Sequence, residues 1–130
     1  MNERELYEAA ARVRKMAYCP YSHYSVGAAV LTESGKVYTG CNIENASYPA
    51  GICAERTAVS KAVSEGEQKI VMIAVAGGPE AEDGIYTPPC GICRQVMAEF
   101  GGAALKIILR KDGELVRFTL ADLLPESFSL

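Results

Sequence analysis

Two short segments concentrate the side chains that can do chemistry: CAER at residues 53–56 and PPCGICRQ at residues 88–95. Each puts a cysteine where a helix should begin, the second one behind Pro88 and Pro89, which a first helical turn tolerates. A helix N-terminus carries roughly half a positive charge and unpaired backbone N–H groups, and both lower a thiol's pKa. Cys90 and Cys93 form a C-x-x-C pair whose spacing lets both sulfurs reach one metal ion, and Cys53 supplies a third ligand. Structural zinc is normally closed by four protein ligands, whereas catalytic zinc keeps one position for water, so a three-thiolate set points to zinc in a catalytic role. Other candidate ligands are set aside. Cys41 ends a predicted strand without a paired ligand, and Cys19 sits in a loop before a proline. His23 is the chain's one histidine, in a loop where such a residue is ordinarily solvated.

Glu55 follows Cys53 by two positions, which on a regular helix would point it about 200° away. The two side chains therefore meet one ion only around the helix end. There the Glu55 carboxylate reaches a zinc-bound water, whose pKa zinc lowers to about 7, and can take its proton and later return it to a leaving group. Arg56 answers a charge problem: three thiolates outweigh Zn²⁺, and a guanidinium donating to the sulfurs draws that excess back. Arg94 is expected to face solvent. The plainer alternatives fit less well. A structural zinc knuckle with Glu55 as a helix-start acid leaves the metal one ligand short. A redox pair at Cys90 and Cys93 leaves CAER without a task.

The pattern around these segments predicts the elements that position them. Residues 2–17 place Leu6, Ala9, Ala10 and Val13 at helical spacings before the proline of CPYSHYS ends the run. Residues 26–31 and 36–41 are strand-like and joined by a Ser-Gly turn, hence a hairpin. Residues 53–64 read as a helix stopped by Gly66, and the unbroken apolar run IVMIAVAGG at 70–78 suits a strand buried on both faces. A polar, glycine-rich loop precedes a second short helix at 90–100; strands at 105–109 and 115–119 and a last helical turn follow. The order αββαβαββα implies a sheet covered on both faces, a three-layer α/β/α structure with a five-stranded mixed sheet.

The whole chain sets bounds on its function. Its 130 residues suit a single domain, 1–130, and the 49% hydrophobic share is enough for a real core. No apolar run approaches the ~20 residues of a membrane span, and the charged N-terminal residues lack a secretory leader's apolar middle. A net charge of −3 with no dense basic run offers nothing to a phosphate backbone, which excludes long nucleic acid as a partner. Five cysteines without a disulfide-like even count fit a cytoplasmic setting in which thiols stay reduced.

Taken together, CAER and PCGICRQ resemble the signature of the zinc-dependent deaminases. The stretch from MAYCPYSHYSVGAAV through CNIENASYPAGICAERTA, and on to LLPESF, resembles the small homotetrameric cytidine deaminases over nearly the whole chain. The resemblance implies hydrolytic deamination of cytidine and deoxycytidine in pyrimidine salvage, with one Zn²⁺ per subunit and active sites completed by neighbouring subunits. Activated water would attack C4 of the base, with Glu55 as proton shuttle. By matching positions, Cys53, Cys90 and Cys93 are the zinc ligands. Asn42 and Glu44 bind the ribose hydroxyls, Ala54 makes a backbone contact to the base, and Tyr24 packs against it. Tyr48 and Phe128 are aromatic groups near the site, Phe128 from a neighbouring subunit. A carboxylate beside the sugar favours a nucleoside over a nucleotide. Tyr24 stands where the family usually has phenylalanine, so its hydroxyl needs a polar partner. The alternatives are a blasticidin-type deaminase, which shares CAE and PCGxCRQ, and a non-catalytic zinc-binding interaction module.

Overall fold

The computed structural model describes residues 1–130. Helix α1 (Glu3–Val13) tightens into a 3-10 turn (Arg14–Met16) and leads to strands β1 (Tyr24–Thr32) and β2 (Val37–Cys41). After them come α2 (Ala54–Ser64), β3 (Ile70–Pro79), α3 (Gly91–Gly101), β4 (Lys106–Lys111), β5 (Glu114–Thr119) and the short α4 (Leu120–Leu123). The strands form one five-stranded mixed sheet in the order β2-β1-β3-β4-β5. Only β3 and β4 run parallel, and α3 lies in the crossover between them.

Successive strand residues point to opposite faces, and that alternation sorts the core into two. Ala28, Val30, Ile73, Val75, Ile107 and Leu109 pack with α2 and α3 through Ala58, Val59, Cys93 and Met97. Their neighbours Ala29, Ala74, Ala76 and Ile108 pack on the other face beneath Leu6, Tyr7, Ala9 and Ala10 of α1. The layers are therefore α/β/α, and the central strand β3 is continuously apolar because both of its faces are covered.

Topology brings the two cysteine segments to one end of the sheet. Gly27 near the start of β1 pairs with Cys41 at the end of β2 and with Ala76 near the end of β3. The chain leaving β2 toward α2 and the chain leaving β3 toward α3 thus emerge at the same end, flanking β1. Gly40 seats α2 against β2: a Cβ there would stand 2.5 Å from the Ala58 nitrogen.

Most element boundaries shift by one or two residues from the sequence expectation, and two of the shifts have a direct cause. β1 begins at Tyr24, two residues early, because Tyr24 and Ser25 pair with Pro79 and Gly78; the buried Ser25 interrupts the apolar pattern that would have announced it. The α-helical part of α1 stops at Val13, where Arg14 turns to donate to the carbonyls of Ser25, Pro79 and Glu82 at 2.9, 2.9 and 2.8 Å. No helix is long and apolar enough to cross a membrane.

Candidate active site

Cys53 is the N-cap of α2 and Cys90 the N-cap of α3, and neither uses its side chain to cap its helix. Cys93 sits in the first turn of α3, fully buried. The three sulfurs lie within 4.8 Å of one another. Cys53 Sγ and Cys90 Sγ are 3.9 Å apart, far beyond a disulfide bond and suited to a shared metal ion. This donor set fits zinc: soft thiolates, three in number, gathered at two helix N-termini whose dipoles favour their ionised form. Cys19 is buried elsewhere and Cys41 lies outside the cluster. His23 is exposed, with Nδ1 3.0 Å from Glu80.

The electrostatics follow from that crowding. A hydrogen bond from the Cys93 thiol, and then the Arg56 guanidinium, bring the Cys53 thiol down to about 5. Holding that shared proton, together with its burial, pushes Cys93 up. Arg56 Nη2 stands 3.7 Å from Cys53 Sγ, and its Nε is buried without a partner. Contact with the sulfurs raises the Arg56 pKa further, so it remains a cation. Glu55, the second residue of α2, is 5% exposed. Burial, and to a smaller extent the Cys53 thiolate, push its carboxyl up to about 7.

A cleft of about 380 Å³ is lined by these groups, Cys53, Ala54, Glu55 and Cys90, together with Asn42 and Glu44. Asn42 prolongs the sheet with its side chain: Oδ1 accepts from Val26 N and Nδ2 donates to Tyr24 O, both at 2.9 Å. Glu44 accepts from the backbone N–H groups of Tyr21 and Ser22 at 3.0 and 3.1 Å and from the Ser22 hydroxyl. Those bonds, the hydroxyl first, hold its carboxyl below the usual range. Tyr48 also lines the cleft, 76% exposed, with its ring edge-on to Tyr21 at 5.9 Å.

Two residues of the sequence-derived set stand apart from the cleft wall. Tyr24 touches two lining residues, Asn42 through its carbonyl and Thr87 through its hydroxyl, 2.7 Å from Thr87 Oγ1. Phe128 lies outside the cleft on the C-terminal tail, 67% exposed, its carbonyl accepting from Gln95 Nε2 at 3.1 Å.

Arg94 corrects the expectation of a solvent-facing side chain. Its Nε donates to Pro89 O and its Nη1 to Leu123 O, both at 2.7 Å, tying the approach to Cys90 to the end of α4. A partner 29 residues away has no local signature in the sequence. Thr87 was likewise missed; a hydroxyl directly before the two prolines was its only signal.

The family model for the cytidine and deoxycytidylate deaminase zinc-binding region matches residues 1–109. A cytidine deaminase of Halalkalibacterium halodurans is 45% identical over 130 residues, 99% of this chain and 96% of that protein. The crystal structure of a cytidine deaminase from Burkholderia pseudomallei superposes with a TM-score of 0.89 at 44% identity, covering 98% of this chain and 100% of that one. A blasticidin-S deaminase of Bacillus cereus is more distant, 30% identical over 129 residues, 96% of this chain and 91% of that protein.

Proposed function

The chain belongs to the cytidine and deoxycytidylate deaminase zinc-binding family, and from that premise we propose how its residues convert cytidine and deoxycytidine to uridine and deoxyuridine with release of ammonia. One observation carries the reading: a buried carboxyl, Glu55, adjoins a three-thiol cluster in a cleft that Asn42 and Glu44 also line. Cys53, Cys90 and Cys93 hold the zinc, which when bound supplies the Lewis acidity that brings the pKa of water down to about 7.

Glu55 takes a proton from the attacking water and delivers it to N3 of the pyrimidine as the new C–O bond forms at C4. The same carboxyl then takes the remaining proton from the new C4 hydroxyl and puts it on the 4-amino group. The C4–N bond then breaks, ammonia leaves and the ring carbonyl closes. A carboxyl poised near 7 suits both halves of that exchange, because a shuttle must accept and give up the proton with similar ease. Arg56 keeps electron density on the sulfurs from quenching the site. Ala54, buried at the start of α2, presents backbone to the base.

Glu44 stays ionised and accepts from the ribose hydroxyls, while Asn42 keeps one N–H beyond the one given to Tyr24 for a sugar oxygen. An ionised Glu44 repels a 5′-phosphate, which favours the nucleoside. The exposed rings of Tyr48 and Phe128 support an assembly in which a second copy covers them, and we assign a homotetramer with sites shared between subunits. Five free thiols, three of them gathered for a metal, support the cytoplasm, where thiols stay reduced; we assign the activity to pyrimidine salvage and to one domain, 1–130.

An ultraviolet assay of the purified protein against cytidine, deoxycytidine, adenosine and blasticidin S tests the reading. Turnover of the first two substrates is expected. Preference for blasticidin S would favour the blasticidin-type alternative, and a folded, zinc-loaded protein inert toward all four would leave a zinc-binding interaction module.

A further inference from the structure

Tyr24 is held at both ends by residues that line the cleft. Its backbone carbonyl accepts from Asn42 Nδ2 at 2.9 Å, and its hydroxyl lies 2.7 Å from Thr87 Oγ1. Thr87 sits three residues before Cys90, on the segment stiffened by Pro88 and Pro89. Thr87 Oγ1 is also 3.3 Å from Ile85 O, which can only accept; with the Thr87 proton directed there, Tyr24 O–H donates to Thr87. The position of Thr87 is in turn set by a glycine. A Cβ on Gly77 of β3 would fall 2.8 Å from Thr87 Cγ2 and 2.9 Å from Oγ1. Gly77 is itself locked between strands, paired with Val26 of β1 and accepting from Ile85 N at 2.7 Å.

We propose that Thr87 is a positioning residue for the cleft wall: seated against Gly77, it fixes the Tyr24 phenol and so couples Asn42 to the loop that carries Cys90. The proposal rests on the nucleoside-deaminase reading, since it concerns how that substrate is seated. Asn42 and Thr87 both line the cleft and Tyr24 bridges them; a wall held this way serves ground state and transition state alike, so loosening it weakens binding and leaves the chemical step largely alone. The expected signature is a change in KM without a change in kcat.

The test is a double-mutant cycle on the zinc-loaded enzyme. Thr87→Val leaves the Tyr24 donor facing a methyl group, and an unsatisfied donor costs more than a bond removed from both sides. KM for cytidine should rise roughly five- to tenfold in T87V, with kcat and zinc content near their starting values. Thr87→Ser, which keeps the oxygen, should return KM most of the way. Adding Tyr24→Phe to T87V removes the stranded donor and should lower KM below that of T87V alone. Gly77→Ala reaches the same point without replacing either hydrogen-bonding group: it displaces Thr87, should raise KM alike, and should also be relieved by Y24F. KM losses that simply multiply in the double variants would overturn the proposal and leave the deaminase reading intact, as would a fall in kcat together with lost zinc. A parent enzyme that turns over no cytidine would overturn both.

Discussion

At the start of α1, Asn2 and Glu5 exchange hydrogen bonds at 2.8 and 3.0 Å, each side chain satisfying the other's backbone N–H. At the starts of α2 and α3 the capping positions are held by Cys53 and Cys90, and no side chain caps either helix. The start of the first helix satisfies its own end groups and holds no reactive side chain. The other two leave their N-termini open, gather three sulfurs there, bury a carboxyl behind one of them and strand Arg56 Nε without a partner. Forgoing a good cap costs about 1 kcal/mol per helix, and burying Glu55 adds to it. A bound metal offsets those costs and a self-sufficient fold does not, so local rules fail where chemistry is done and hold where it is not.

Substitutions at the two kinds of helix start should separate accordingly. Cys53→Ala should have the largest effect: zinc content falls to near zero, and turnover with it, in metal analysis of the purified variant. Arg56→Gln comes next. It should retain zinc but lose roughly ten- to a hundredfold in kcat/KM, the usual cost of removing a partner that tunes a metal ligand, and unchanged kinetics would refute the charge-balancing role.

At α1 the effects move to stability alone. Asn2→Ala should lower stability by about 1 kcal/mol in thermal or urea melts and leave kcat and KM unaltered. The smallest effect is pH-dependent. Arg117 donates to Glu3 at 3.0 and 2.6 Å and holds its carboxyl below the ordinary 4.5. Because the folded value is depressed, the ion pair contributes stability above pH 4.5 that is lost as pH falls through the folded value. Glu3→Gln should therefore lower the melting temperature slightly at pH 7, and the difference from the parent should disappear in acid.

The same contrast explains what was legible in the sequence. Helix periodicity and the apolar β3 run are local patterns, and the capping cysteines announce themselves because a helix start is also a local event. CAER and PCGIC therefore point to metal chemistry before any folding is considered. The hydrogen bonds that shape the substrate side are different in kind. Glu44 meets Ser22, Tyr24 meets Thr87 and Arg94 meets Leu123 only after the sheet has brought separate segments together, across 22, 63 and 29 residues. Resemblance to a family supplied Asn42, Glu44 and Tyr24 as candidates. It could not supply Thr87 or the Arg94 tie, which follow from this chain's own packing.

The central claim is that Glu55 moves protons beside a three-thiolate zinc site, and Glu55→Gln tests it most directly, with metal content and cytidine turnover measured on the same preparation. The amide keeps the shape and cannot carry the proton, so zinc should remain at full content while kcat falls by about two to four orders of magnitude. A zinc-loaded E55Q protein that deaminates cytidine at close to the parent rate would contradict the account.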